Sequence, residues 1–145
     1  MKKLFSIFLF FTLFINANNF DKGKELFNKK CSNCHKIFAD PKKIQENFFK
    51  QENRLLKLKA PTVNMMNWAI NTGPKKIGED DDIEFKIEEV TDFLIDYLHN
   101  PNLENSICDK NVIKYFKVKE SMKGKVSKDE LALIAEYLVK FKPNK

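Results

Sequence analysis

The sequence predicts an all-α, single-domain fold, and three observations predict it. Apolar residues recur at steps of three and four, most clearly Ile87, Val90, Thr91, Leu94, Ile95 and Leu98, the spacing that gathers side chains on one face of a helix. No run of alternating or β-branched apolar residues is present to supply strands. Helix punctuation is also explicit: Ser127-Lys128-Asp129-Glu130 sets Ser three residues before Glu as in a capping box, and Thr72-Gly73-Pro74 and His99-Asn100-Pro101 are stop signals.

The N-terminus reads as an export signal over residues 1–17. Met1-Lys2-Lys3 is a short basic start, Leu4 to Ile15 is almost wholly apolar, and Ile15-Asn16-Ala17 offers a small residue at a cleavage point. The apolar run falls short of the ~20 residues that span a bilayer. Ile15 is a poor match to the cleavage pattern, so retention of the segment as a membrane tether is the alternative fate. Residues 18–145 then form the mature domain, 128 residues of the 145, an ordinary size for one core.

From Asn19 the period becomes helical, with Phe20, Gly23, Phe27, Cys31 and Cys34 at steps of three and four and Asn18 or Asn19 as cap. A glycine inside a helix costs about 0.5–1 kcal/mol relative to Ala, so Gly23 suggests that another backbone passes close by, the competing reading being a glycine merely tolerated at the surface. The stretch ends in Cys31-Ser32-Asn33-Cys34-His35, a C-x-x-C-H motif. At this spacing two thiols on one side of a helical turn reach the edge of a single haem and the adjacent imidazole takes an axial position on its iron. Two other chemistries compete for the motif. Zinc needs about four N or S ligands, and only Cys108 and His99 remain elsewhere. A thioredoxin-like pair belongs beside a βαβ pattern, for which the chain supplies no strands.

After a loop from Lys36, Pro41 opens a segment in which Ile44, Phe48 and Leu55 share a face, a half-exposed helix to about Leu58. Val63 to Ile70 is a short helix carrying Met65, Met66 and Trp68, the methionines suited to filling a core and the indole to a buried acceptor, with donation to a haem propionate as the competing reading. Lys75 to Asp82 is a charged turn that leads into the first turn of the next helix. Its acids lack the glycine and terminal Glu of a calcium loop. His99 closes that next helix, where a cation suits the dipole; a role as axial ligand is the competing reading. Asp109 caps a short turn through Val112, Ile113 and Phe116. Cys108, the odd thiol, is either a small buried hydrophobe or a handle for an intermolecular bridge. Ser127 starts the last helix, in which Leu131, Ile134, Ala135 and Leu138 share a face and which Pro143 closes.

Gly23-Lys24-Glu25-Leu26-Phe27 followed after three residues by Cys31-Ser32-Asn33-Cys34-His35 resembles the opening of the small monohaem (class I) cytochromes c, and Leu131 to Leu138 resembles that family's terminal helix. The resemblance implies a cytochrome c-like helical fold around one covalently attached haem c, with the N- and C-terminal helices crossing at Gly23 and Phe27. It implies thioether bonds at Cys31 and Cys34 and His35 as axial ligand. A proline carbonyl accepts the His Nδ1 proton in the family, and Pro61 looks like that residue, although it lies 26 positions after His35. The ending Tyr97-Leu98-His99-Asn100-Pro101 resembles the helix that packs over one side of the haem. In Ser121-Met122-Lys123-Gly124-Lys125-Val126, Met122 has the place of the distal methionine ligand, with Lys123 where the family often has proline and an 87-residue gap from His35. A soft thioether suits that role; Met65 or Met66 is the substitute, and an open sixth position the other outcome. The segment from Lys42 to Ser121 exceeds what a minimal cytochrome needs.

The function implied is one-electron transfer in the periplasm or an equivalent exported space, without enzymatic chemistry. Two alternatives stand beside it: a five-coordinate haem protein that binds a small gas or peroxide, in which Met122 is only loop packing, and a haem subunit of a larger redox complex. Charge bears on partners. Without residues 1–17 the chain holds 24 basic and 20 acidic residues, a net +4, which two ionised haem propionates lower to about +2. Arg54 is the one arginine among 26 basic residues, so the bidentate forks of nucleic-acid recognition are nearly absent. A lysine-rich surface suits redox partner proteins with acidic docking faces, with Lys36, Lys123 and Lys125 as candidate docking charges.

Overall fold

Six helices and no strand make up residues 18–143, the part of the chain that the computed structural model describes: α1 (Asn19–Lys30), α2 (Pro41–Phe49), α3 (Val63–Asn71), α4 (Ile83–His99), α5 (Lys110–Ile113) and α6 (Lys128–Lys140). The fold is all-α, as the sequence predicts. The stretch read as an export signal lies outside the described residues. Among the described residues no helix is long and apolar enough to cross a membrane.

α6 is the centre of the molecule, and α1, α3 and α4 all pack on it. Its start is held by the predicted capping box: Glu130 N–H donates to Ser127 Oγ at 3.2 Å, and Ser127 N–H to Glu130 Oε2 at 2.9 Å. Its apolar face, Leu131, Ile134, Ala135, Leu138 and Val139 with Tyr137, is buried. Its last carbonyls, which no intrahelical donor reaches, are taken by α3: Asn67 Nδ2 donates to the carbonyls of Leu138 (2.8 Å) and Val139 (3.0 Å), and Asn71 Nδ2 to that of Val139 (3.1 Å).

α1 crosses α6 at Gly23. A Cβ at that position would overlap the Leu133 carbonyl and stand 3.0 Å from Tyr137 Cβ, so the absent side chain is what lets the two backbones meet. Phe20 and Phe27 flank the crossing, their ring centroids 5.3 and 5.6 Å from that of Tyr137. Asn18 caps α1 through Phe20 N–H at 3.3 Å. At the far end Lys30 Nζ reaches Glu130 Oε1 at 2.9 Å and the Lys125 carbonyl at 3.0 Å, fastening the exit of α1 to the entrance of α6.

The long middle of the chain builds a second, smaller core. Phe48, Leu58, Val112, Ile113 and Phe116 are buried together, with Ile44, Met65 and Cys108 against them, so α2 and α5 pack on each other. α2 does not run to Leu58 as its pattern suggests; it stops at Phe49. Asn47, fully buried, donates to Asn53 Oδ1 (2.9 Å) and accepts from Leu56 N–H (2.7 Å), while Asn53 pairs with both backbone groups of Leu58 at 2.8 and 2.9 Å. These side-chain bonds substitute for helix bonds, Asn53 sits at φ 64°, and Leu55 is left 47% exposed. Trp68 likewise departs from the buried position expected of it and is 50% exposed.

α4 begins four residues before its periodic stretch, at Ile83, because Asp82 caps it through Phe85 N–H at 2.9 Å. The acidic turn also neutralises a charge that the pattern does not foretell. Lys86 is 1% exposed, and its ammonium meets Asp80 Oδ1 at 2.5 Å.

Two substitutions test this frame by denaturant unfolding of the intact protein. Gly23→Ala is expected to cost about 3 kcal/mol or more, since backbone rather than a movable side chain is struck. Ser127→Ala is expected to cost about 1 kcal/mol through loss of the cap.

Candidate haem site

The helical spacing of the two cysteines is preserved only in part. α1 ends at Lys30, and Cys31 is its C-cap, with φ −121° and its N–H on the Phe27 carbonyl at 2.8 Å. The motif itself is a turn: Cys34 N–H and His35 N–H both donate to the Cys31 carbonyl, at 3.2 and 3.0 Å. Cys31 is half-buried against the main core while Cys34 is exposed. Both thiols are free.

His35 is held from two sides. Its ring lies edge-on to Phe27, centroids 5.9 Å apart, and its Nδ1 is 2.7 Å from the Pro61 carbonyl oxygen. A carbonyl only accepts, so Nδ1 carries the proton and Nε2 keeps its lone pair free. Pro61, named from resemblance despite its distance in sequence, is therefore the acceptor. Burial pushes the imidazole pKa below its ordinary value and the nearby Lys119 ammonium adds to that, against the Pro61 hydrogen bond; the ring is favoured in the neutral form that can bind a metal. Burial raises the Cys31 thiol, with Lys119 and then Lys30 pulling it back down.

Met122 packs against the same core as Cys31, Ile37 and Leu98. Its N–H donates to the Leu98 carbonyl at 2.8 Å, its carbonyl accepts from Lys125 N–H at 2.9 Å, and the preceding Ser121 hydroxyl donates to the His99 carbonyl at 2.8 Å. The loop is thus seated on the end of α4. The two adjacent methionines of α3 part company: Met66 joins the main core and Met65 the second one. Cys108 also lies in the second core, and burial raises its thiol pKa, opposed by a hydrogen bond with Ser106 and reinforced by Asp109. Lys119 carries no sequence signal that would mark it, since its nearness to Cys31 and His35 arises only from the path of the loop before Met122.

Two thiols and a proton-locked imidazole beside a half-buried apolar surface, carried on crossing helices, define a haem-binding helical protein. The Cytochrome c family matches the chain over residues 20–142, and the chain belongs to that family. An uncharacterized protein of Aquifex aeolicus (strain VF5) is 29% identical over 141 residues, covering 94% of this chain and 85% of the relative. No solved structure matches the chain significantly. The family implies haem c and haem-based electron transfer.

The residues present fit that group. Nε2 of His35 is left as the only imidazole lone pair by the Pro61 bond. Cys31, Ile37, Met66, Leu98, Ile107 and Met122 pack on the main core, which also holds Phe27 against the His35 ring, yet stay half-buried, apolar surface that a flat apolar cofactor could cover.

Because Cys108 belongs to the other core, Cys108→Ala is expected to leave the visible spectrum of the haem-loaded protein unchanged. The substitution is expected to cost about 1–2 kcal/mol of stability for the vacated volume. Absorption spectra and denaturant unfolding of the variant check both.

Proposed function

We propose that the protein is a periplasmic one-electron carrier that holds a single haem c through thioethers at Cys31 and Cys34, with His35 and Met122 as axial ligands. The observation that carries this reading is the His35 Nδ1 bond to the Pro61 carbonyl at 2.7 Å, which prepares one nitrogen of one imidazole as a ligand beside the two thiols. The haem supplies an iron that exchanges one electron between its ferrous and ferric states.

The chain's own residues do the rest. The Nδ1–H···O bond fixes the ring's orientation and strengthens Nε2 as a donor. Met122 offers a soft thioether from a loop whose backbone is fixed to Leu98 and Lys125, so the ligand has little room to move between oxidation states. Apolar packing around the site keeps water out. No general acid, base or nucleophile is required. Residues 1–17 supply the export signal of this reading.

Charge distribution supports a partner with an acidic docking face. Residues 110–125, which lead to and past Met122, hold six lysines and only Glu120 as acid, whereas residues 79–96 hold nine acids and only Lys86 as base. Lys36, Lys123 and Lys125 are exposed and stand near the motif and the Met122 loop in sequence. Such segregation orients an approaching partner before contact.

Spectroscopy of the exported protein tests the ligands. Haem is expected to survive a denaturing gel, and ferric protein is expected to be low-spin with the far-red band of a methionine-to-iron bond, which Met122→Ala abolishes. Retention of that band in the variant would exclude Met122, and a high-spin wild type would favour the five-coordinate alternative. For docking, electron transfer to an acidic redox protein is expected to slow as salt rises from 0.01 to 0.15 M, the Debye length shrinking from about 30 to about 8 Å, and to lose much of that dependence in Lys36→Gln/Lys123→Gln/Lys125→Gln.

A further inference from the structure

The separation of 26 positions between His35 and Pro61 raises a physical difficulty. An axial ligand and its acceptor so far apart in sequence depend on the intervening loop being closed, and closing a loop costs entropy. α2 and its turns fill that interval. The loop is tied at its neck by a compact set of bonds. Val63 N–H donates to the Lys36 carbonyl at 2.9 Å and Asn64 N–H to the Ile37 carbonyl at 3.3 Å. The Asn64 side chain then grips Ala39 from both sides: Oδ1 accepts from Ala39 N–H at 3.2 Å and Nδ2 donates to the Ala39 carbonyl at 2.9 Å. Oδ1 also accepts from the Thr62 hydroxyl at 2.7 Å, and that hydroxyl oxygen accepts Met65 N–H at 3.4 Å as the cap of α3.

The amide has one workable orientation here. Turned over, its NH2 would face the Ala39 N–H and the Thr62 hydroxyl, and its oxygen would face the Ala39 carbonyl. Thr62 is 0% exposed, so its hydroxyl has no water to fall back on. One side chain thus joins the segment leaving His35 to the residue that follows Pro61.

We propose that Asn64 is a positioning residue for the axial imidazole: by locking segment 36–39 to segment 61–64 it sets the His35 Nδ1–Pro61 carbonyl bond and, through it, the electron-donating strength of the ring. This rests on the reading of His35 as a ligand of covalent haem. A bond held short draws negative charge onto the ring, stabilises ferric iron and lowers the reduction potential; a slack bond does the reverse. The clamp also explains why the interval between His35 and Pro61 tolerates α2.

The test uses haem-loaded protein and four variants, Asn64→Ala, Asn64→Asp, Thr62→Val and Thr62→Ser. Asn64→Ala and Thr62→Val are expected to keep covalent haem and the methionine band while the reduction potential rises. In ferrous protein the His35 Nδ1 proton is expected to exchange with solvent about fivefold faster or more, the scale of one lost hydrogen bond. Asn64→Asp, which sets an anionic oxygen against the Ala39 carbonyl, is expected to speed exchange of the Nδ1 proton as Asn64→Ala does, while its added negative charge opposes the rise in potential. Thr62→Ser keeps the hydroxyl and is expected to match wild type. Folded, haem-loaded Asn64→Ala or Thr62→Val with wild-type potential and exchange rate would overturn the proposal alone. Wild-type protein without covalent haem would overturn the functional reading and the proposal together.

Discussion

The close approach of α1 and α6 at Gly23 is the constraint on which the rest of the molecule depends. The Leu133 carbonyl occupies the space where a Cβ would be, so the crossing point is fixed by backbone on backbone rather than by adaptable side chains. The Cys31 to His35 turn begins where α1 ends, and the Met122 loop lies just before α6 begins. Lys30, bonded to Glu130 and to the Lys125 carbonyl, joins those two places directly. One helix crossing therefore sets where both faces of the candidate haem site can be.

The extra length of the chain is absorbed without disturbing that crossing. Phe48, Leu58, Val112, Ile113 and Phe116 close into a core of their own, and of the helices only α3 contributes to both cores, through Met66 on one side and Met65 on the other. Adjacent helical residues point about 100° apart, which is enough to send two neighbouring thioethers to different cores. The placement leaves Met65 to the second core and gives Met66, like Met122, to the main one.

Local chemistry made much of this legible in advance. The box at Ser127, the glycine at 23, the periodic face of α4 and the stop at Pro101 each act within a few residues, and sequence displays such signals. What stayed hidden depends on partners distant in sequence or on buried polar pairs. The Asn47 and Asn53 network ends α2 early because two amides outcompete further helix bonds, a choice that the spacing of Ile44, Phe48 and Leu55 cannot reveal. Lys86 resembles a solvated lysine until Asp80 is seen beside it. At the candidate site the C-x-x-C-H spacing displays Cys31, Cys34 and His35, and the resemblance points to Pro61 as the acceptor that His35 meets, but the grip of Asn64 on Ala39 spans 25 positions and has no periodic trace.

The two faces of the site are held by different means, and the difference bears on how each can vary. His35 is secured by a network spanning segments 36–39 and 61–64, in which backbone pairs, an amide and a hydroxyl all converge near Pro61. Met122 depends on the end of α4, through the Leu98 and His99 carbonyls, and on a turn completed by Gly124 at φ 76°, a conformation that side chains disfavour. No hydrogen bond among the described residues joins the Asn64 network to the Met122 loop. In hydrogen bonding, therefore, the Met122 loop and the neck that fixes the imidazole's tautomer are separate, and they meet only through the main core, on which Ile37 and Met122 both pack. That separation follows from setting His35 at the exit of α1 and Met122 at the entrance of α6, with the backbone crossing at Gly23 between the two helices.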